Sequence, residues 1–250
     1  NTGMEEIIVG IDFSRGSECA IELGIDIANR MKQDMKLVYV ISESDDGKSL
    51  EKDIESKIEI VSTDLIDDVL EKNDIHFVIN TVCNYSQNTM QYDGVLNANL
   101  IYPLQLLNKC IIYGICNYLT IDTGLPNDLN MYSMTKNVLN EFGKFYSEKH
   151  NLNFYSLQLE MFYGADEPEN RFLPSIIRKM LRGEDVNTTL GTQKRDIIAV
   201  GDVIKAINIV LNCKLKGYQE IPVGTGVAPK ISEIIDFIWK ETDQKSVLNK

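Results

Sequence analysis

Glu5-Glu6-Ile7-Ile8-Val9-Gly10-Ile11-Asp12-Phe13-Ser14 is a short apolar run that passes into a polar turn. An apolar run of that length, closed by turn residues, reads as a buried strand. Ser17-Glu18-Cys19-Ala20 then opens a helix through about Met31, and Lys36-Leu37-Val38-Tyr39-Val40-Ile41 is a second apolar run. Strand, helix and strand at this spacing make a parallel crossover unit. The alternation continues along the chain. Strands are expected near 6–11, 36–41, 57–62, 76–80, 116–122, 153–159 and 219–223. Helices are expected near 17–32, 64–72, 91–113, 131–149, 172–182, 201–213 and 230–242. The fold class is therefore α/β, a doubly wound parallel sheet with helices on both faces. Ligands belong at the carboxyl ends of its strands, where the strand order reverses.

Bulk properties fit that class. The 250 residues can support one doubly wound core with a modest extra lobe. A net charge of −12 argues against a nucleic-acid or anionic-membrane surface. It leaves room for a small anionic ligand, because local positive charge decides that. No apolar run reaches the ~18 residues of a membrane span. No secretory signal opens the chain, and Asn1-Thr2-Gly3 before Met4 reads as a tag remnant. Cys19, Cys83, Cys110, Cys116 and Cys213 are odd in number and lie mostly in apolar strands and helices. They read as reduced core cysteines of a cytoplasmic protein. With His76 and His150 the only histidines and no Cys-x-x-Cys, no metal site is expected.

Two features of the first half bear on ligands. Gly10-x-x-Phe13-x-x-Gly16-Ser17 keeps the outer glycines of a Gly-x-x-Gly-x-x-Gly phosphate turn. A glycine at the middle position lets backbone approach a pyrophosphate at a helix N-terminus. Phe13 at that point would crowd the phosphates, and the other reading is a packed turn with no ligand. Glu43, Asp45 and Asp46 follow the second strand, where an acid can bind the ribose hydroxyls of NAD. No Arg stands there to receive a 2′-phosphate, which tilts the choice from NADP toward NAD. Residues 43–56 are charged and read equally well as a linker.

In Tyr132-Ser133-Met134-Thr135-Lys136 a Tyr and a Lys stand four apart, on one helix face. An ammonium beside a phenol favours phenolate and is expected to lower the Tyr132 pKa from about 10. Such a phenol can move a proton to or from a sugar hydroxyl or ketone. The spacing also arises as an ordinary surface pair.

From about Lys57 to about Thr242 the chain resembles an extended short-chain dehydrogenase/reductase of the NAD-dependent epimerase/dehydratase group. Lys57-Ile-Glu-Ile-Val-Ser-Thr-Asp64-Leu65 resembles the family's third strand, and Phe77-Val-Ile-Asn-Thr81-Val-Cys83 its fourth. Asn99-Leu-Ile-Tyr-Pro-Leu-Gln-Leu-Leu resembles the helix whose leading Asn supports the active site. Leu157-Gln-Leu-Glu160-Met161-Phe-Tyr163-Gly164, Phe172-Leu-Pro174, Gly191-Thr-Gln193-Lys194-Arg195-Asp196 and Val223-Gly224-Thr225-Gly226 follow in order. Within the group, Asn84-Tyr85 and Leu157 to Gly164 look closest to the CDP-abequose synthase branch. The first forty residues, with Val9-Gly-Ile-Asp12-Phe-Ser, resemble instead the start of a universal stress protein, whose Asp lies near bound ATP. That family's later glycine-rich loop has no match.

The main resemblance implies a Rossmann-like core over 1–160, with 1–42 atypical and 43–56 a linker. It implies a small, truncated C-terminal substrate lobe over 161–250, interleaved with the last strands of the core. It implies NAD or NADP, NAD favoured, held by Gly10, Phe13, Gly16, Asp64, Leu65, Thr81 and Lys136. Tyr132 and Lys136 would be the acid-base pair. The family's hydroxyl, aligned on Asp122, falls at Ile121, so Thr120 or Thr123 would take its place, Thr123 preferred. A nucleotide sugar would meet Asn84, Glu160 and Arg195. A homodimer would form through the helices near 91–113 and 131–149, using Ile101, Leu104, Leu107 and Ile111. The implied activity is epimerisation, dehydration or reduction by hydride transfer at sugar C4. The alternative is a non-catalytic hybrid or pseudoenzyme that binds an adenine nucleotide.

Overall fold

The computed structural model describes residues 6–10, 37–41, 58–62, 66–72, 74–85, 92–164, 167, 169, 171–242 and 247–249. The expected helix at 17–32, the linker 43–56, and Phe13, Gly16, Asp64 and Leu65 lie outside them.

Seven strands form the main sheet: β1 (Glu6–Gly10), β2 (Leu37–Ile41), β3 (Ile58–Ser62), β4 (Ile75–Asn80), β5 (Asn117–Thr123), β6 (Asn153–Leu159) and β10 (Tyr218–Val223). Their order is β10-β6-β5-β4-β1-β2-β3. The pairs β1–β2, β2–β3, β1–β4, β4–β5 and β5–β6 are all parallel. The order reverses between β1 and β4, where Gly10 ends level with Asn80. That is the switch point of a doubly wound sheet, and it fixes where a ligand crevice opens.

Helices α1 (Ile66–Lys72), α2 (Asp93–Leu96), α3 (Tyr102–Ile112) and α4 (Met131–His150) belong to this first unit. A core of Leu70, Val78, Leu107, Tyr118, Leu139 and Phe154 lies among them. Phe154 stacks between Tyr118 and Tyr218, with centroids 5.5 and 5.7 Å away. Between α2 and α3 the backbone makes a π-helical turn over Asn97–Ile101, in which the Tyr102 N–H donates to the Asn97 carbonyl five residues back. Pro103 explains the widening: it has no N–H to return to the Asn99 carbonyl, so regular α-helix cannot run through this turn. Helix α4 is entered through a capping box, Asn130 Oδ1 accepting from the Ser133 N–H at 2.9 Å and Ser133 Oγ from the Asn130 N–H at 3.2 Å. It closes on Asn151 at φ 55°, a left-handed position that Asn tolerates.

The chain divides into two compact units, one comprising residues 1–159 and 204–222, the other 160–203 and 223–250. The second holds β7 (Met161–Tyr163) parallel to β9 (Ile197–Ala199), and β8 (Val186–Asn187) parallel to β11 (Leu248–Asn249). Helices α5 (Phe172–Arg182) and α7 (Ile231–Glu241) bury Ile176, Met180, Ile231 and Ile235 against each other, with Trp239 at the margin. Helix α6 spans Val200–Asn212.

Two expectations change. Of the apolar residues assigned to a dimer face on α3, Leu107 is fully buried and Leu104 and Ile111 pack on the chain's own core. Ile101 remains exposed. Nor are the cysteines uniformly core residues: Cys110 is buried, and the same burial pushes its thiol pKa up, but Cys116 and Cys213 are exposed. Among the described residues no helix is long and apolar enough to cross a membrane, and no His/Cys/Asp/Glu group is placed to hold a metal.

Candidate active site

The carboxyl ends of β4 and β5 are tied together before any ligand is considered. Asn80 donates from Nδ2 to Thr120 Oγ1 at 3.1 Å and accepts from the Val82 N–H at 3.2 Å. Thr120 is thereby committed to the sheet interior. Thr123, at the last position of β5, is half-buried, and its Oγ1 accepts only from the Leu125 N–H, at 3.2 Å, among the described residues. Of the two candidate hydroxyls, Thr123 is the one carried to the strand end. Its neighbour Asp122 is buried and fully engaged. Asp122 accepts from the Thr123 N–H at 2.8 Å, Asn140 Nδ2 at 2.6 Å and Ser156 Oγ at 2.7 Å.

Helix α4 begins just after this strand end, and Tyr132, Lys136 and Asn140 recur on one face at intervals of four. Lys136 is buried. Its ammonium donates to the Ile121 carbonyl at 2.8 Å and to the Val82 carbonyl at 3.3 Å, bridging the ends of β5 and β4. An ammonium has three N–H donors, so one remains for a further acceptor. A ribose hydroxyl is the kind of acceptor that this third N–H could take. Thr81, also proposed for the cofactor, is buried at the same end of β4.

Tyr132 does not behave as its spacing to Lys136 implied. Burial raises its phenol pKa well above the usual tyrosine value, and the neighbouring Tyr85, Cys83 and Asp122 raise it further. The Lys136 ammonium is not among the groups that shift it. The ammonium itself donates to two backbone carbonyls.

Asn99, from the π-turn, is fully buried and clamps Asn84 at both backbone polar groups. Its Oδ1 accepts from the Asn84 N–H at 2.8 Å and its Nδ2 donates to the Asn84 carbonyl at 3.0 Å. Asn84 was expected to touch substrate. Its backbone is held by this clamp, and its side-chain amide lies so close to Gly94 that a Cβ there would stand 3.1 Å from Nδ2. Tyr85, absent from the expected set, lays its ring on Tyr132 with centroids 4.6 Å apart. The signal in the sequence is the Asn84-Tyr85 pair, read there as a family resemblance and not as a contact of Tyr132.

In the second unit, Arg195 is exposed and donates from Nη1 to the Lys194 carbonyl at 2.8 Å. Lys194 pairs antiparallel with Lys230 in an isolated bridge. Glu160 is exposed, and a Cβ on Gly224 would come within 2.9 Å of its Cγ and 2.6 Å of Asp196 Oδ2. Burial pushes the Asp196 carboxyl up, but the Thr225 hydroxyl and the N–H groups of Thr225 and Gly226 outweigh it and hold the carboxyl below its usual range. Those contacts, at 2.5, 3.0 and 2.7 Å, lock the 224–226 turn. A cavity of about 360 Å³ lies between α5 and β8. Arg171 and Lys179 bring positive charge to it, Ser175 and Thr188 hydroxyls, and Asn187 and Gln193 amides. Arg195 does not line it.

The family model described as the NAD dependent epimerase/dehydratase family matches residues 23–224. The chain belongs to that family. It is an extended short-chain dehydrogenase/reductase. CDP-abequose synthase of Salmonella muenchen is 27% identical over 183 residues, covering 70% of this chain and 62% of the relative. The enzyme of the same name from Salmonella typhimurium strain LT2 is 32% identical over 170 residues, covering 64% of this chain and 57% of the relative. The chain thus spans about three fifths of the length of these relatives. UDP-N-acetylglucosamine 4-epimerase from Methanobrevibacter ruminantium M1, solved with UDP-N-acetylmuramic acid, superposes with a TM-score of 0.80 at 19% identity, over 99% of this chain and 86% of that one. UDP-glucuronic acid 4-epimerase from Bacillus cereus, solved with UDP-glucuronic acid and NAD, gives 0.79 at 18% identity, over 98% and 85%. Likeness at that identity establishes the epimerase/dehydratase fold. The family match begins at residue 23, within the first forty residues that resemble the start of a universal stress protein.

Proposed function

We propose that the chain is an NAD(P)-dependent enzyme of nucleotide sugars that works at sugar C4, with Tyr132 as acid-base, Thr123 orienting the C4 oxygen and Lys136 holding the nicotinamide ribose. The observation that supports this reading is the buried Lys136 ammonium bridging the Ile121 and Val82 carbonyls at the ends of β5 and β4, with Tyr132 four residues earlier on the same helix and Thr123 at the last position of β5. When bound, the nicotinamide cofactor supplies or accepts the hydride. The chain's own residues handle the proton. The Tyr132 phenol can give a proton to a C4 carbonyl oxygen in reduction or take one from a C4 hydroxyl in oxidation.

Support for a nucleotide sugar comes from the names of the relatives, both CDP-abequose synthases, and from neighbours solved with UDP-sugars. The cationic and amide-rich cavity of the second unit suits a nucleoside diphosphate. NAD is favoured over NADP. Two-fold pairing belongs to the same reading. Ile101 and Ile112, with Met134, Phe142 and Phe145 of α4, are exposed, and a second copy would cover them.

Phe13 favours a second reading, a non-catalytic protein that binds an adenine nucleotide without a proper pyrophosphate turn. Calorimetric titration with NAD, NADP and ATP separates the two. Heat with NAD, strengthened in Phe13→Gly, is the expected result. Heat with ATP alone sinks the oxidoreductase reading.

A further inference from the structure

Asp122 is a buried carboxylate to which the proposed chemistry gives no part. It lies between two groups of the site, the Ile121 carbonyl that takes the Lys136 ammonium and Thr123. Its own contacts reach the strand end, the helix and the next strand. Oδ1 accepts from the Thr123 N–H at 2.8 Å. Oδ2 accepts from Asn140 Nδ2 on α4 at 2.6 Å and from Ser156 Oγ on β6 at 2.7 Å. Asn140 and Ser156 are buried as well. One stripe of α4 meets the sheet here. Gly143 lies so close to the Phe154 ring that a Cβ there would stand 2.6 Å from it. Asn140 and Lys136 follow toward the helix N-terminus in steps of three and four residues, the spacing of neighbours on one helix face. Apolar contact is non-directional, so Gly143 on an aromatic ring leaves the helix free to slide. The bond from Asn140 to Asp122 has a direction. A carboxylate only accepts, which fixes the way the Asn140 amide is turned. Its Oδ1 is left buried with no hydrogen-bond partner among the described residues. The helix thus keeps its hold on Asp122 although an amide oxygen goes unsatisfied.

We propose that Asp122 is a positioning residue: by gripping Asn140 it sets the height of α4 along β5, and so places the Lys136 ammonium on the Ile121 and Val82 carbonyls, while its other oxygen holds Thr123 at the strand end. Its bearing on catalysis rests on the roles given above to Tyr132, Thr123 and Lys136. Asp122 moves no proton itself and acts only through these neighbours. The two bonds to Oδ2 differ in what they hold. Ser156 belongs to β6, whose register with β5 is already fixed by backbone pairing from Asn117 to Thr123. Asn140 belongs to the helix that carries Tyr132 and Lys136, one turn beyond the lysine. Loss of the Ser156 bond should therefore cost stability alone. Loss of the Asn140 bond should cost stability and the placing of the ammonium.

Asn140→Leu and Ser156→Ala, compared on the full chain, test this. Both should lower the urea midpoint. The ammonium is followed by NMR of lysine labelled with ¹⁵N at Nζ, without cofactor. Buried on two carbonyls, it should exchange slowly with water and give a separate signal, assigned by its loss in Lys136→Met. That signal should persist in Ser156→Ala and vanish in Asn140→Leu. In reduction of a 4-keto nucleotide sugar, kcat should fall about a hundredfold in Asn140→Leu, the effect of a misplacement of about 1 Å, with KM for the sugar unchanged. Ser156→Ala should keep the wild-type kcat. Asn140→Asp sets a second carboxylate against Asp122 and should also lose the signal. Adding Asp122→Asn remakes the hydrogen bond with its ends exchanged and should bring the signal back. If Asn140→Leu does not fold, this exchange decides. An Asn140→Leu that keeps both signal and kcat, a Ser156→Ala that loses both, or an exchange that does not restore the signal overturns the positioning role. So does a wild type without the protected signal. A wild type that shows the signal and has no turnover overturns the oxidoreductase reading, and the hold on Lys136 is then judged on the signal alone.

Discussion

Asn99→Leu probes the clamp that sets the site's upper wall. Leucine keeps nearly the same volume in a fully buried place and removes both contacts to Asn84, at 2.8 and 3.0 Å. Each lost bond costs about 0.5–1.5 kcal/mol net, and a backbone group left dry and unpaired about 1–3 kcal/mol. Asn84 is only half-buried, so water can reach its freed groups. The lower range therefore applies, and the sum is about 2 kcal/mol. Urea unfolding followed by circular dichroism should show a lower midpoint with an unchanged slope. Tyr85, next in the chain, should lose its fixed stacking, so the Tyr132 titration should change as well. A destabilisation under about 0.5 kcal/mol, with Tyr132 titrating as in the wild type, would refute the clamp as the device that positions 84–85.

Gly143→Ala should destabilise by about 1–3 kcal/mol through overpacking, since the new Cβ would stand 2.6 Å from the Phe154 ring; thermal unfolding measures it. Lys136→Met leaves the Ile121 and Val82 carbonyls without their donor, and NAD affinity by calorimetry should fall by at least about tenfold. Asp196 has a depressed carboxyl pKa, so its contribution to stability is present above the ordinary carboxylate value of about 3.9 and is lost as pH falls through its lower folded value. Asp196→Asn should accordingly cost stability at pH 7 and much less near pH 2, as read by urea midpoints at the two pH values.

The long elements were legible because their periodicity is strong. The structure has β6 at Asn153–Leu159 and α5 at Phe172–Arg182, the spans the apolar pattern marks. Strands of two or three residues carry no period, and β7, β8, β9 and β11 went unseen for that reason. In the site, sequence spacing brought Tyr132 and Lys136 to one helix face, but it is blind to direction. Nothing in Tyr-x-x-x-Lys says that the ammonium is taken by two carbonyls or that burial governs the phenol. Leu104, Leu107 and Ile111 illustrate the same limit, for an apolar stripe does not say whether its partner is the chain's own core or a second copy. Tyr85 meets Tyr132 across a separation of nearly fifty residues, a contact that only the fold creates. The π-turn followed from Pro103, a cue present in the sequence and not drawn out of it.

Hydride transfer to C4 with the proton from Tyr132 is the central claim, and deuterium transfer tests it most directly. A CDP-linked 4-keto sugar is incubated with NADH deuterated at C4 of the nicotinamide, on the transferable face, and the sugar product is read by mass spectrometry and NMR. The wild type should place one deuterium on sugar C4. Tyr132→Phe should fold, retain most of its NAD affinity and transfer none, because only the transferable proton has been removed. Transfer by Tyr132→Phe at the wild-type rate would contradict the assignment of the tyrosine. Absence of transfer by the wild type, despite NAD binding, would contradict the enzymatic account as a whole.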